Sequence, residues 1–218
     1  MAKRFDLIVF DWDGTLMDSA AAIVTALQSA AVDIGVEPPS DERARHIIGL
    51  GLYEALQYAM PNLSDAQYDE LCERYRYHYL ARDRELVLFQ GATELVAELA
   101  ERGHMLAVAT GKTRNGLKRA FEHSGLGDMF HDSRCADECH SKPHPQMLLE
   151  LMDAFAVAPE NTLMIGDTTH DLQMAKNAGV AGLGVSYGAH PRAGLMVEAS
   201  HGCVDDIIAL SNWLRAHA

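Results

Sequence analysis

The feature that most constrains the fold is a short apolar run that ends in two carboxylates. Residues 5–10 read FDLIVF, and Asp11-Trp12-Asp13-Gly14-Thr15 follows at once. A run of branched and aromatic residues this short is typical of a buried parallel strand. Two carboxylates two positions apart repel each other unless a cation, a shared proton or solvent relieves the charge. The sequence therefore predicts a strand whose carboxyl end is either neutralised or solvated.

Further apolar runs end in polar residues in the same way. Residues 104–110 (HMLAVAT) lead into Gly111 and Lys112, and residues 161–167 (NTLMIGD) end in Asp167. Helical patterns alternate with these runs, and the predicted helices are 91–102, 113–124, 143–155, 172–178 and 205–216, with a further strand at 180–188. This alternation predicts an α/β fold with a Rossmann-like parallel sheet.

Residues 18–86 differ from the rest because they carry helical patterns and no strand pattern. Helices are predicted after Ser19, after Ser40 or Asp41, over 52–60 and over about 64–84. We therefore expect an α/β core domain of residues 1–17 and 87–218, interrupted by an all-helical domain of residues 18–86.

Composition and charge limit the partners. The formal net charge is −13 and no basic run is present, which argues against nucleic-acid or anionic-membrane partners. No apolar run of about 18 residues suggests a membrane span, and the N-terminal apolar run is too short for an export signal. The four cysteines are expected to be free thiols. We expect a cytoplasmic protein that is a monomer or a dimer.

The strand ends predict a shared site. Ligands of open α/β sheets bind beyond the carboxyl ends of the strands, so Asp11, Asp13, Thr110 and Asp167 are expected to lie at one edge. A carboxylate such as Asp11 can act as a nucleophile toward phosphorus. A phosphate dianion can approach it only if a cation is present, and the oxygens of Asp167 and Asp171 suit Mg²⁺.

Other residues near these strand ends can serve a phosphate group. Asp13 is placed to act as general acid and base, and Gly14 permits a tight turn that exposes backbone N–H groups. Gly111 and Lys112 lie at a helix N-terminus, where anions bind favourably. The predicted phosphate-binding residues are Gly14, Thr15, Thr110, Gly111, Lys112 and Lys142.

Four motifs resemble those of the haloacid dehalogenase-like hydrolases in order and spacing. They are DWDGTLMDS at 11–19, TGK at 110–112, SKPHP at 141–145 and GDTTHD at 166–171. The helical insertion resembles the small cap of the phosphoglycolate phosphatase-like branch. The resemblance implies that Asp11 is the phosphorylated nucleophile and Asp13 the general acid/base, while Thr110 and Lys142 hold the phosphate.

The resemblance also implies a metal site. Asp11, the backbone carbonyl of Asp13, and Asp167 match the Mg²⁺ ligands, and Asp171 matches an acid that places the metal or the lysine. The dehalogenase branch lacks the counterpart of Asp13, so phosphoryl transfer is favoured. We expect a Mg²⁺-dependent phosphatase of small phosphomonoesters, with phosphoglycolate as one candidate. The alternatives are a phosphomutase of the β-phosphoglucomutase type, a non-catalytic phosphate-binding protein and, more distantly, a dehalogenase.

Three positions bear on specificity. The motif TGK has Gly111 where asparagine or serine is frequent in the family, which removes one side-chain contact near the substrate. Arg45, in the helical insertion, either binds a substrate carboxylate or is an ordinary surface arginine. His170, inside GDTTHD, is expected to face solvent.

Overall fold

A six-stranded parallel sheet forms the centre of the molecule. The computed structural model describes residues 5–218, so the first four residues of the predicted core lie outside it. The strands are β1 (Leu7–Phe10), β2 (Met105–Thr110), β3 (Asp132–Cys135), β4 (Thr162–Gly166), β5 (Ala181–Val185) and β6 (Cys203–Val204). Their order is β3-β2-β1-β4-β5-β6 with all pairings parallel, which confirms the predicted α/β, Rossmann-like fold.

Ten α-helices accompany the sheet among the described residues. They are α1 (Ala20–Asp33), α2 (Asp41–His46), α3 (Leu52–Ala59), α4 (Asp65–Arg82), α5 (Ala92–Glu101), α6 (Arg114–Ser124), α7 (Gln146–Phe155), α8 (Thr169–Ala178), α9 (Arg192–Glu198) and α10 (Ile207–His217). None of the helices in residues 5–218 is long and apolar enough to cross a bilayer.

The central strand β1 is buried on both faces. Ile8 and Phe10 contribute to one hydrophobic cluster, and Leu7 and Val9 contribute to another. Successive side chains of a strand point to opposite faces, so an uninterrupted apolar run suits a strand covered by helices on both sides. Phe10 lies opposite Val108 and Ile165, so β1, β2 and β4 end close together.

The helices α1–α4 form an inserted segment with a hydrophobic cluster of their own. Leu27, Leu56 and Leu71 are fully buried within that cluster. The chain enters and leaves the segment at adjacent points, because the Asp18 N–H donates to the Val87 carbonyl at 2.9 Å. Such paired connections allow a helical segment to be inserted after β1 without disturbing the sheet.

Three short elements, β3, β6 and α9, were not predicted from the sequence. Both missed strands lie at the edges of the sheet. In β3 only Ser133 and Cys135 are buried, while Asp132 and Arg134 are partly exposed. Edge strands are often short and carry charged side chains, which discourages pairing with another chain, and this makes their apolar pattern weak.

Candidate active site

Asp11, the residue after β1, is fully buried beside Lys142. Lys142 Nζ lies 2.7 Å from Asp11 Oδ1 and 2.6 Å from Asp171 Oδ1. Burial raises the pKa of Asp11 well above its ordinary value, and Lys142 partly opposes this. Burial alone would lower the pKa of Lys142, but the two carboxylates raise it above its ordinary value. The lysine is therefore charged and holds the two carboxylates together.

Asp167, the residue after β4, is fixed by two hydrogen bonds. Its Oδ1 accepts from the Thr15 hydroxyl at 2.8 Å, and its Oδ2 accepts from the Ala189 N–H at 2.7 Å. Gly14 makes room for this carboxylate, because a Cβ there would lie 2.1 Å from Asp167 Oδ2, and its φ of +78° suits glycine. Burial, followed by the charge of Asp171, raises the pKa of Asp167 to about 7.

Asp171 lies in the first turn of α8 and is committed to two partners. Its Oδ2 accepts from the Thr168 N–H at 3.1 Å and from the Thr168 hydroxyl at 2.6 Å. Its Oδ1 is the atom paired with Lys142. The capping box of α8 thus places a carboxylate that holds the lysine.

The three buried carboxylates form a plausible cation site on chemical grounds. Oxygens of Asp11, Asp167 and Asp171 lie within 4.8 Å of one another. Asp11 Oδ2 is buried and has no hydrogen-bond partner among residues 5–218. The single ammonium of Lys142 does not balance three carboxylates, and hard oxygen donors suit a divalent cation. The residues present therefore fit a metal ion.

Asp13 is held apart from this cluster, between the core and the inserted helices. The Ser19 hydroxyl donates to Asp13 Oδ1 at 2.7 Å, and Lys112 Nζ lies 3.0 Å from Asp13 Oδ2. Lys112 Nζ also donates to the Tyr79 hydroxyl of α4 at 2.9 Å. The side chain of Lys112, predicted to bind substrate, is therefore paired with the predicted acid/base.

Thr110 and Gly111 lie at the end of β2, as predicted. The Thr110 hydroxyl accepts the Lys112 backbone N–H at 3.2 Å, which leaves the hydroxyl proton available to another acceptor. A Cβ at Gly111 would lie 2.5 Å from the Leu50 carbonyl oxygen and 2.6 Å from that of Gly49. Only glycine allows the inserted segment to approach the end of β2 this closely.

Two cavities open between the inserted helices and the core. The first, which we call the interface cavity, has a volume of about 230 Å³, and Asp13, Gly111 and Lys112 are part of its wall. The second has a volume of about 850 Å³ and is lined by Arg45 among others. Arg45 is therefore not brought together with Asp13, whereas the other predicted residues gather at the strand ends.

Three histidines that lie far apart in the sequence meet where α2 contacts the core. The Nε2 atoms of His170 and His190 lie 2.7 Å and 3.1 Å from the His46 carbonyl oxygen. The expectation that His170 faces solvent is wrong, because it is only 9% exposed. Burial next to other imidazoles lowers the pKa of His190 to about 4, so it is neutral at pH 7.

These histidines come close enough to suggest a metal site. A carbonyl oxygen can only accept, so both Nε2 atoms carry protons. His190 Nδ1 in turn accepts the Thr169 N–H at 3.0 Å. A metal-binding histidine normally donates from its other ring nitrogen, and His190 cannot do so here. The cluster is better described as a hydrogen-bonded contact between α2 and the core.

Fold and site together define a class of protein. It is an α/β protein with a cluster of buried carboxylates that could hold a metal ion at the carboxyl edge of a parallel sheet, next to an inserted helical segment. The chain belongs to the haloacid dehalogenase-like hydrolase family, whose model matches residues 8–185.

Individual relatives support this assignment. "Probable phosphatase IndB" of Dickeya dadantii is 40% identical over 84% of this chain and 82% of that protein. A 5′-nucleotidase of Pseudomonas aeruginosa is 32% identical over 99% and 98%. A phosphoglycolate phosphatase of Agrobacterium fabrum is 31% identical over 84% and 81%, which agrees with the phosphoglycolate phosphatase-like branch. The crystal structure of a Pseudomonas syringae hydrolase, 22% identical, has the same fold, with a TM-score of 0.88 over 97% of this chain and 98% of that one.

Proposed function

We propose that the protein is a Mg²⁺-dependent phosphatase that hydrolyses small phosphomonoesters through an aspartyl phosphate on Asp11. The observation that carries the proposal is the buried Asp11, which has Lys142 beside one oxygen and, within the described part of the chain, no hydrogen-bond partner on the other. The relatives named as phosphatases support the same reaction class. Their names place phosphoglycolate and 5′-nucleotides among the substrates to be tested.

In the first half-reaction Asp11 attacks phosphorus and the bond from phosphorus to the alcohol oxygen breaks. Asp13 donates a proton to that oxygen as the alcohol leaves. Lys142 stabilises the negative charge on the transferring group, and the Thr110 hydroxyl donates to one of its oxygens. The Gly111 N–H would complete the proposed phosphate site. The N–H groups of Gly14, Thr15 and Lys112 already donate to the Met17 carbonyl, the Trp12 carbonyl and the Thr110 hydroxyl, and would have to exchange those partners to join it.

In the second half-reaction Asp13 takes a proton from water, and the water oxygen attacks the phosphorus of the aspartyl phosphate. The bond to Asp11 breaks and inorganic phosphate leaves. Asp11, Asp167 and the Asp13 carbonyl would hold Mg²⁺, with Asp171 positioning Lys142 beside them. When bound, Mg²⁺ supplies charge neutralisation for the incoming phosphate.

We further propose that residues 18–86 act as a cap domain over a core of residues 1–17 and 87–218. Two contacts of this segment with the core support the assignment. The Gly51 N–H donates to Ser141 Oγ, one residue before Lys142, at 2.9 Å, and the Tyr79 hydroxyl accepts from Lys112, which follows β2. A cap in this position excludes water from the reacting groups. The four free cysteines are consistent with a cytoplasmic protein.

Phosphate release tests the proposal directly. With Mg²⁺ present, we expect turnover of a panel that includes a generic aryl phosphate, phosphoglycolate and a 5′-nucleotide. A chelator should abolish the activity, and added Mg²⁺ should restore it. The chelator should also lower the Tm, because an ion that binds only the folded state stabilises it. Undiminished turnover with chelator would contradict the metal assignment.

The affinity for Mg²⁺ is expected to rise with pH. Without metal the pKa of Asp167 is about 7, so below that pH the carboxyl is mostly protonated and a cation must displace the proton. Binding at pH 6 should be about tenfold weaker than at pH 8. Calorimetric titration of Mg²⁺ at both values, in buffers of different ionisation enthalpy, measures affinity and proton release together. The same affinity at both values without proton release would contradict this expectation.

A further inference from the structure

The interface cavity is lined in part by Asp13, the residue next to which the leaving alcohol would lie. In the proposed function, on which this inference rests, Asp13 protonates the oxygen that departs with the alcohol. Asp13 and Lys112 form part of the wall of this cavity. We propose that the interface cavity selects phosphomonoesters whose alcohol is apolar, either aliphatic or aromatic.

The cavity wall is mainly apolar and comes largely from the inserted helices. Ile23 and Leu27 of α1 lie on it, together with most of the apolar side chains of residues 47–56. Tyr75 and Tyr79 of α4 add two stacked rings with centroids 5.8 Å apart. Specific small-molecule sites are typically of this kind, with apolar walls and a few polar groups near the reacting atoms.

The charged side chains of the cavity leave little to bind a short anionic alcohol. Lys112 lies 3.0 Å from Asp13, so this pair carries no net charge. Arg119 is paired with Asp83 at 3.4 Å, and Arg76 is exposed. Arg45, for which carboxylate binding was one of two alternatives, lines the other cavity.

Phosphoglycolate therefore fits the cavity poorly. Its carboxylate lies one carbon from the ester oxygen, near a lysine that is already paired with Asp13, so the carboxylate would lack a counter-ion of its own in a mainly apolar cavity. An alcohol with a hydrocarbon body makes the opposite demand, because each methylene that it buries contributes favourably. A polar end on such an alcohol is tolerated only where it reaches the exposed Arg76.

A series of primary alkyl phosphates tests the proposal with nearly constant chemical reactivity. Ethyl, butyl and hexyl phosphate release alcohols of nearly the same acidity, so differences in kcat/KM report on the cavity. We expect kcat/KM to increase about fourfold per methylene until the cavity is full. The longer members should exceed both phosphoglycolate and a 5′-nucleotide.

A matched pair of variants locates the effect. Leu52→Asn places an amide on the wall of the interface cavity, and Leu149→Asn makes the same change at an exposed site on α7. The first variant should flatten the dependence of kcat/KM on chain length. The second should keep the wild-type dependence.

The assay distinguishes failure of the apolar-alcohol proposal from failure of the proposed phosphatase function. If a generic aryl phosphate is hydrolysed but kcat/KM is flat or falls with chain length, the apolar assignment is overturned and the phosphatase stands. A preference for phosphoglycolate or the 5′-nucleotide over hexyl phosphate overturns it equally. If no member of the panel releases phosphate, the proposed function fails and this inference fails with it.

Discussion

An Asp11→Asn variant is expected to lose phosphate release by about 10⁴-fold or more, while its fold is retained. The amide has nearly the shape of the carboxylate but does not form the covalent intermediate. Removal of a covalent nucleophile has lowered kcat by about 10⁶-fold in a well-measured hydrolase, so an effect of this size is reasonable. Steady-state rates with an aryl phosphate in saturating Mg²⁺ measure the loss.

The stability of the same variant separates a chemical defect from a folding defect. Asp11 is one of three buried carboxylates, of which Lys142 pairs with two, so neutralisation of Asp11 relieves both desolvation and repulsion. The Tm in chelator should therefore be no lower than that of the wild type. The matched control is Asp18→Asn, which changes an exposed carboxylate in the loop that follows Asp11. This variant should keep full activity. Retention of a tenth or more of wild-type activity by Asp11→Asn would exclude the nucleophile role.

A Lys142→Met variant is expected to show the largest loss of stability. The side chain of Lys142 is fully buried between Asp11 and Asp171, so its removal leaves two buried carboxylates without their cation. Loss of one member of a buried ion pair lowers the free energy of unfolding by about 3–5 kcal/mol. For a chain of this size, that corresponds to a decrease in Tm of about 6–20 °C.

The measurement is urea or thermal denaturation in chelator, with two comparisons. Lys176→Met removes a lysine whose side chain is 71% exposed and should change the stability little. The double variant Lys142→Met/Asp171→Asn removes one of the stranded carboxylates and should lose less stability than Lys142→Met alone. If Lys142→Met is as stable as Lys176→Met, the buried ion pairs described here do not hold the site together.

The gathering of polar residues at the carboxyl edge of the sheet could be predicted because its signals are local. Asp11, Thr110 and Asp167 each end an apolar run, and parallel strands bring their carboxyl ends together. The edge strand β3 was not predicted because its four residues alternate between buried and partly exposed positions and include two charged side chains. A pattern that short cannot be distinguished from a loop by periodicity.

Contacts between the inserted helices and the core could not be predicted from spacing. His46 and His190 are 144 positions apart, and no local pattern indicates that one ring nitrogen will meet the other residue's carbonyl. The pairing of Lys112 with Tyr79 is of the same kind. Arg45 is a further example, since the sequence left open whether it binds a substrate carboxylate or is a surface arginine, and the structure places it in the wall of the second cavity.

The close approach at Gly111 has a consequence for how such an enzyme changes its substrate. The atoms that would meet a Cβ at position 111 are main-chain oxygens, so the docked position of the helical segment is set by backbone geometry. Side chains such as Leu50 and Leu52 can vary without altering that position. Substrate choice can thus evolve, or be engineered, by exchanging side chains that line the interface cavity. The position of the helical segment against the strand ends stays constant.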